Sequence, residues 1–137
     1  MPSASQALQA TIYEALSTDA AVLAALGGAA RIYDHVPRKV EYPYVTFAQT
    51  AVRDWSTGSE QGDEHMITLH VWSLAAGRTE VHEIIAALRA VLHDRDLQVS
   101  GHRLINLRYD FSEIRREPDG ERFHGIVRLR AVTEPVS

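Results

Sequence analysis

Arg31-Ile32-Tyr33-Asp34-His35-Val36-Pro37, then Pro43-Tyr44-Val45-Thr46-Phe47, is the stretch on which the fold of this chain turns. A proline restricts the residue before it to extended backbone, so Val36 and Tyr42 are held extended on either side of a turn-rich loop. Residues 31–42 therefore read as a short extended segment running into that loop. Tyr33, Pro37, Pro43 and Tyr44 are read as positions that define the fold.

Upstream the period is helical. Leu8, Ile12 and Leu16 recur every four residues, with Ala7 and Ala15 beside them, which predicts an amphipathic helix over residues 5–16. A second, shorter helix over 20–26 follows, with Thr18 or Asp19 as N-cap and Gly27-Gly28 supplying the left-handed end.

Downstream the period changes to two. Residues 44–55 predict a long strand, with Val45, Phe47, Gln49, Ala51, Arg53 and Trp55 on one face. The polar, glycine-containing connection 58–63 leads to a second strand over 65–74, in which Ile67, Leu69 and Val71 alternate with Met66, Thr68, His70 and Trp72. These two form an antiparallel hairpin. Val81, Ile84, Ile85, Leu88, Val91 and Leu92 then give the widest apolar helical stripe, over 77–92, and a short strand is expected at 97–99. Ile105, Leu107, Tyr109 and Phe111 read as the apolar face of a last hairpin, which turns at Glu117-Pro118-Asp119-Gly120 and returns through 123–132. Gly120 is taken as a fold-defining turn residue. The sum is an α+β fold in one domain spanning residues 1–137: a mainly antiparallel sheet of extended hairpins, with two principal helices on one face.

Composition narrows the functional classes. The 137 residues include no cysteine, which excludes disulfides, thiolate nucleophiles and cysteine-ligated metal centres. Neither a signal peptide nor an uninterrupted apolar span of membrane length is present, so a cytoplasmic site of synthesis is expected, with no membrane partner. The net charge of −4 argues against a partner held mainly by phosphate contacts. Lys39 is the only lysine among 14 basic residues, a bias shared by GC-rich coding sequence and by arginine-rich interfaces.

Spacing assembles no reactive constellation. His65 and His70 point to opposite faces of one strand; His82 and His93 share a helical face but lie about 16 Å apart by helical rise. No metal, cofactor or nucleotide site is indicated, and Gly-x-Ser-x-Gly is absent. Glu60, Asp63 and Glu64 gather carboxylates near a hairpin tip, where a solvated loop is the simpler reading. The arginines of the last hairpin alternate with carboxylates, and Tyr109 and Phe111 are read as facing the core, which disfavours a base-stacking surface. Trp72 is read as core; Trp55 is open between rim packing and an interface anchor.

The order of these elements resembles the tail-completion, or tail-terminator, family of long-tailed bacteriophages, prophages and gene transfer agents. The likeness rests on a helix pair ending near Gly-Gly, Arg31-Ile32-Tyr33, Val36-Pro37, Pro43-Tyr44-Val45, a hairpin, the Val81 to Leu92 helix, Leu97-x-x-x-Gly101 and a closing strand pair, roughly residues 5–133. The resemblance implies a subunit without catalytic activity that forms a ring, commonly a hexamer, on the head-proximal end of a tail tube. It also implies tail-tube and head-tail connector proteins as partners, with DNA only passing through the lumen, and residence in the bacterial cytoplasm until the particle is complete.

Within that frame Arg38, Lys39, Glu41 and Tyr42 in the loop between the prolines, together with Trp55, Glu60 and Asp63 at the first hairpin tip and Arg116 near the second, are candidate contacts with neighbouring subunits or the tube. Two other readings stand beside it. One is a connector or stopper of the same particle. The other is a small α+β enzyme or ligand-binding domain using His70, His82 or the carboxylates of 60–65.

Overall fold

The structure, a computed structural model, describes residues 3–136. The helices form where the apolar period is helical. α1 (Ala4–Ser17) is capped by Ser3, whose hydroxyl accepts from the Gln6 N–H at 3.1 Å, and it buries Leu8, Ile12 and Leu16. α2 (Ala20–Ala25) is capped by Asp19, which accepts from the Val22 N–H at 3.0 Å. It ends in a Schellman motif: the Gly28 N–H reaches the Leu23 carbonyl at 2.7 Å and the Gly27 N–H the Ala24 carbonyl at 3.1 Å. Both glycines have positive φ, +88° and +97°, which a side chain would resist.

β1 (Ile32–Tyr33) runs parallel to the start of β2 (Tyr44–Asp54), and β2 forms the expected antiparallel hairpin with β3 (Asp63–Ser73). α3 (Thr79–Leu92) then crosses over, and β4 (His102–Arg116) and β5 (Phe123–Pro135) form the second hairpin. The sheet order is β1-β2-β3-β5-β4, with β3 and β5 paired along their whole length. The three helices pack on one face, where Val45, Phe47, Ile67, Leu69, Val71, Val127, Leu129 and Ala131 meet Leu8, Ile12, Ile84 and Leu88 in one hydrophobic core. Gly125 lets α3 sit directly on the sheet, since a Cβ there would lie 2.7 Å from Val81 Cγ1. The accessible surface is 7909 Å², against roughly 7,000 Å² for a compact chain of this mass, in keeping with long projecting hairpins.

Three expectations are corrected. Residues 97–99 form no strand: Val99 makes a single bridge to His102 across the Ser100-Gly101 turn, and no ladder continues from it. In β2 a bulge between Phe47 and Thr50 absorbs one residue, so the alternation slips. Thr50, Val52 and Asp54 continue the face of Val45 and Phe47, while Ala51, Arg53 and Trp55 move to the helix-free face. In β4 two bulges, between Leu104 and Asn106 and between Tyr109 and Phe111, break the strict period. Leu107 is buried and Tyr109 half-buried, but Ile105 is 48% exposed and Phe111 stands on the helix-free face.

Candidate assembly surfaces

The sequence-proposed contact residues fall at opposite ends of the sheet. Because Tyr44 pairs with Trp72 and Arg116 with Phe123, the loop 34–43 and the turn 117–122 share one end. Trp55, Glu60 and Asp63 lie at the other, about 35 Å along β2 at the rise of an extended strand. Asp63 is not a loop residue but opens β3 opposite Asp54.

The first end is built around Arg31. Its guanidinium donates to the Tyr42 carbonyl at 2.9 Å and to Glu41 Oε2 at 2.9 Å, and passes close beside Gly27, where a Cβ would meet it at 3.0 Å. The loop is thereby pinned to β1. The Tyr42–Pro43 peptide bond is cis, Pro43 is buried, and Pro37, Arg38 and Lys39 project into solvent. Glu41 is 78% exposed at its side chain and so is available at the surface while it pairs with Arg31.

On the helix-free face this loop continues into a ladder of rings that crosses four strands. Tyr33 and Tyr42 lie 6.1 and 5.0 Å from Tyr44, Tyr44 lies 6.4 Å from Trp72, and Trp72 stacks on His124 at 3.9 Å and 8°. His70 meets His124 edge-on at 4.4 Å. Burial pushes both histidines below their ordinary pKa; Glu117, 3.0 Å from His124 Nδ1, opposes this for His124. His124 Nε2 is buried without a hydrogen-bond partner. Burial and the neighbouring Tyr42 push the Tyr44 phenol up to about 12. Arg122, held by Asp119 at 2.8 Å, lies 5.4 Å from the Trp72 ring and ties the 117–122 turn to the ladder. Gly120 has φ +74° and its N–H closes the turn on the Glu117 carbonyl at 2.9 Å. Arg116 reaches the Gly120 carbonyl at 3.1 Å.

At the second end Trp55 is 51% exposed, with the Arg130 guanidinium 5.2 Å from its ring centre. The Ser56 hydroxyl donates to Asp54 Oδ1 at 2.6 Å, the Glu60 N–H donates to the Thr57 hydroxyl at 3.1 Å, and Glu60 is exposed. Further along the same face Arg130 donates to Glu64 at 2.6 Å and Arg128 lies over Phe111 at 5.0 Å. Arg53, Arg103, Arg108, Arg115, Arg128 and Arg130 outnumber the carboxylates Glu64, Glu113 and Glu134 on this face, so the net negative charge resides elsewhere.

Two features were misread from sequence. Trp72 is not core: it belongs with His70 and Tyr44 on the helix-free face, and its alternation with the buried Val71 was the available signal. Phe111 faces away from the helices because of a bulge that nothing in the local pattern announces. His70, His82 and the 60–65 carboxylates are not brought together: His70 lies on the helix-free face, His82 is exposed on α3, and Glu64 is engaged by Arg130. Among the described residues no three His, Asp or Glu side chains converge as a metal site would need, and no helix is long and apolar enough to cross a membrane. A concavity of about 800 Å³ is an open groove between α1 and β2, lined by Gln6, Gln9, Tyr13, Asp34, Phe47 and Thr50 among others.

The sheet thus carries its helices on one face and charged or aromatic loops at both ends. Its architecture is shared along almost its whole length with a chain from the virion of a native gene transfer agent particle: the TM-score is 0.88 at 29% identity, covering 98% of this chain and 99% of the other. No curated protein sequence matches it. The fold is thus that of a structural tail-assembly protein. Residues 10–134 match the family of the tail completion protein gp17, and the chain belongs to that family.

Proposed function

We propose that this protein caps the head-proximal end of a phage-type tail tube as a closed ring, ends tube polymerisation, and offers the opposite side for joining the head. The observation that carries the reading is the family match across residues 10–134. The placement of the two contact-prone ends supports it. A closed ring uses heterologous contacts, in which two different patches of each subunit meet, and a cap must also present unlike surfaces to tube and head. The loop with Arg38, Lys39, Glu41 and Tyr42 at one end, and the tip with Trp55 and Glu60 at the other, are such unlike surfaces.

On this reading the whole chain acts as one unit, a hexamer being the ring size the family suggests, with tail-tube and head-tail connector proteins as its partners. It carries out no chemistry; DNA passes through its lumen; it is made in the bacterial cytoplasm and ends as part of the particle. Deleting its gene tests the reading. Tails of uncontrolled length, unable to join heads, are expected. Tails of normal length that still fail to join heads would assign the protein to the connector instead.

A further inference from the structure

The two edges of the sheet are each half covered, and the halves left open are complementary. β1 occupies the β2 edge only at Val45 and Thr46. On β4 the Asp94 N–H donates to the Leu107 carbonyl at 2.8 Å and the Tyr109 N–H donates to His93 Nδ1 at 3.0 Å, so the turn after α3 closes that edge at these two residues, up to Tyr109. What stays open is the second half of β2 and the second half of β4.

The direction of the open backbone groups follows from the ladders. The Trp55 N–H donates to the Gly62 carbonyl, so by alternation Arg53 and Ala51 face β3, while Thr50, Val52 and Asp54 direct N–H and C=O outward. The Glu117 N–H donates to the Arg122 carbonyl, so Ser112, Ile114 and Arg116 direct theirs outward. Unpaired edges are templates for a further strand. Exposed apolar side chains mark both: Val52 (48%) and Trp55 (51%) on β2, Phe111 (36%) on β4.

We propose that copies of this chain join by pairing residues 50–55 of β2 with residues 111–116 of β4 of the next copy, antiparallel, with Val52 opposite Ile114, continuing one sheet around the ring. This rests on the ring reading above and names its interface. β2 and β4 already run antiparallel within the sheet, so a neighbour added side by side arrives in the right direction. In this register every outward group meets an outward group. Val52 and Ile114 share the helix face; Arg53 meets Glu113 and Trp55 meets Phe111 on the helix-free face. Moving two residues one way sets Arg53 against Arg115, and slipping by one exchanges the faces. Ala51 would sit beside the next copy's Arg115, although within one copy Tyr44 is the residue in the row of Arg115. Allowing for the bulge, each copy is displaced by about 20 Å along the strands across a four-strand width of about 19 Å. That sets a strand tilt of roughly 45°, at which sheets close into barrels.

The chain has no cysteine, so engineered thiols report the contact directly. Arg53 and Glu113 would form a non-hydrogen-bonded pair with Cα atoms about 4.5 Å apart, within disulfide range. The variant carrying both Arg53→Cys and Glu113→Cys is oxidised as purified protein at high concentration and again on particles, then run on non-reducing gels. A ladder ending at a closed oligomer is expected, with none for Ala51→Cys and Glu113→Cys together. Independently, Arg53→Glu or Glu113→Arg alone should raise the concentration needed for rings roughly fivefold or more, and the two together should restore it. Rings of normal mass without this cross-link, or rings indifferent to both reversals, overturn the interface and leave the ring reading standing. Cross-linked dimers from either single-cysteine variant point to a two-fold edge contact and also overturn it. Protein that stays monomeric both alone and on particles removes the ring reading itself.

Discussion

Arg31 shows how much one side chain can organise. Its head group joins the end of α2, the start of β1 and the loop 34–43 through one carbonyl and one carboxylate, with only 18% of its side chain exposed. Hydrogen bonds from a charged donor in such a setting are worth about 1.5–3 kcal/mol. Arg31→Ala should therefore lower unfolding free energy by about 2 kcal/mol and quicken tryptic cleavage after Arg38 or Lys39, whereas Glu41→Ala, removing an exposed partner, should cost under about 1 kcal/mol. Urea titration and limited proteolysis together check this.

The histidines give a pH dependence with a definite sign. Burial holds His65 and His124 below the ordinary value of 6.5. Below that pH the unfolded chain takes up protons that the folded chain refuses, so stability falls as pH is lowered through 6.5 toward the folded-state values, and is flat above. The urea midpoint should drop between pH 7 and pH 5.5, and less so in His65→Asn. An unchanged midpoint over that window would mean that neither ring is held neutral by the fold.

Among the elements, α3 lies close against the sheet at Gly125. Gly125→Ala would place a methyl 2.7 Å from Val81 Cγ1 and 3.2 Å from Val71 Cβ, an overpacking that costs about 1–3 kcal/mol. Adding Val81→Ala should recover part of the loss, and a double-mutant cycle by thermal unfolding would show the coupling. The glycine at 120 behaves differently: Gly120→Ala meets only the Arg116 guanidinium, in ordinary contact at 3.8 Å, but a φ of +74°, so a loss of about 1 kcal/mol without rescue by any neighbour is expected.

Element identity was legible because period dominates it. The stripe from Val81 to Leu92 has no reading other than a helix, and Pro118-Asp119-Gly120 none other than a turn. Faces were legible only up to the first bulge. Beyond Phe47 in β2, Leu104 and Tyr109 in β4, one absorbed residue reverses which side chains are covered, and nothing within the strand declares it; the partner strand decides. The candidate contacts fared likewise. The loops carrying Lys39 and Glu60 could be named from polarity, and the strand between them sets them at opposite ends; that the 117–122 turn joins the first of these ends follows from the pairing of β3 with β5.

For the whole molecule, the decisive measurement is of assembly. Arg38→Glu with Lys39→Glu alters two exposed side chains, so unfolding free energy should shift by less than about 0.5 kcal/mol. If this loop contacts the tube or a neighbour, the same variant should reduce completed particles severalfold in complementation of a deletion strain. Normal particle numbers would remove the loop from the interface.

The sequence by itself determined the helices and the four long strands, their order, the Asp19 cap and glycine end of α2, and the turn at Gly120, because these depend on neighbours within a few residues. Only the tertiary structure decided that Phe111 leaves the core, that Arg31 clamps its loop, and which half of each sheet edge stays open. Those outcomes depend on register between strands distant in the chain, which is set by the best total burial of both faces and by the fate of every backbone N–H.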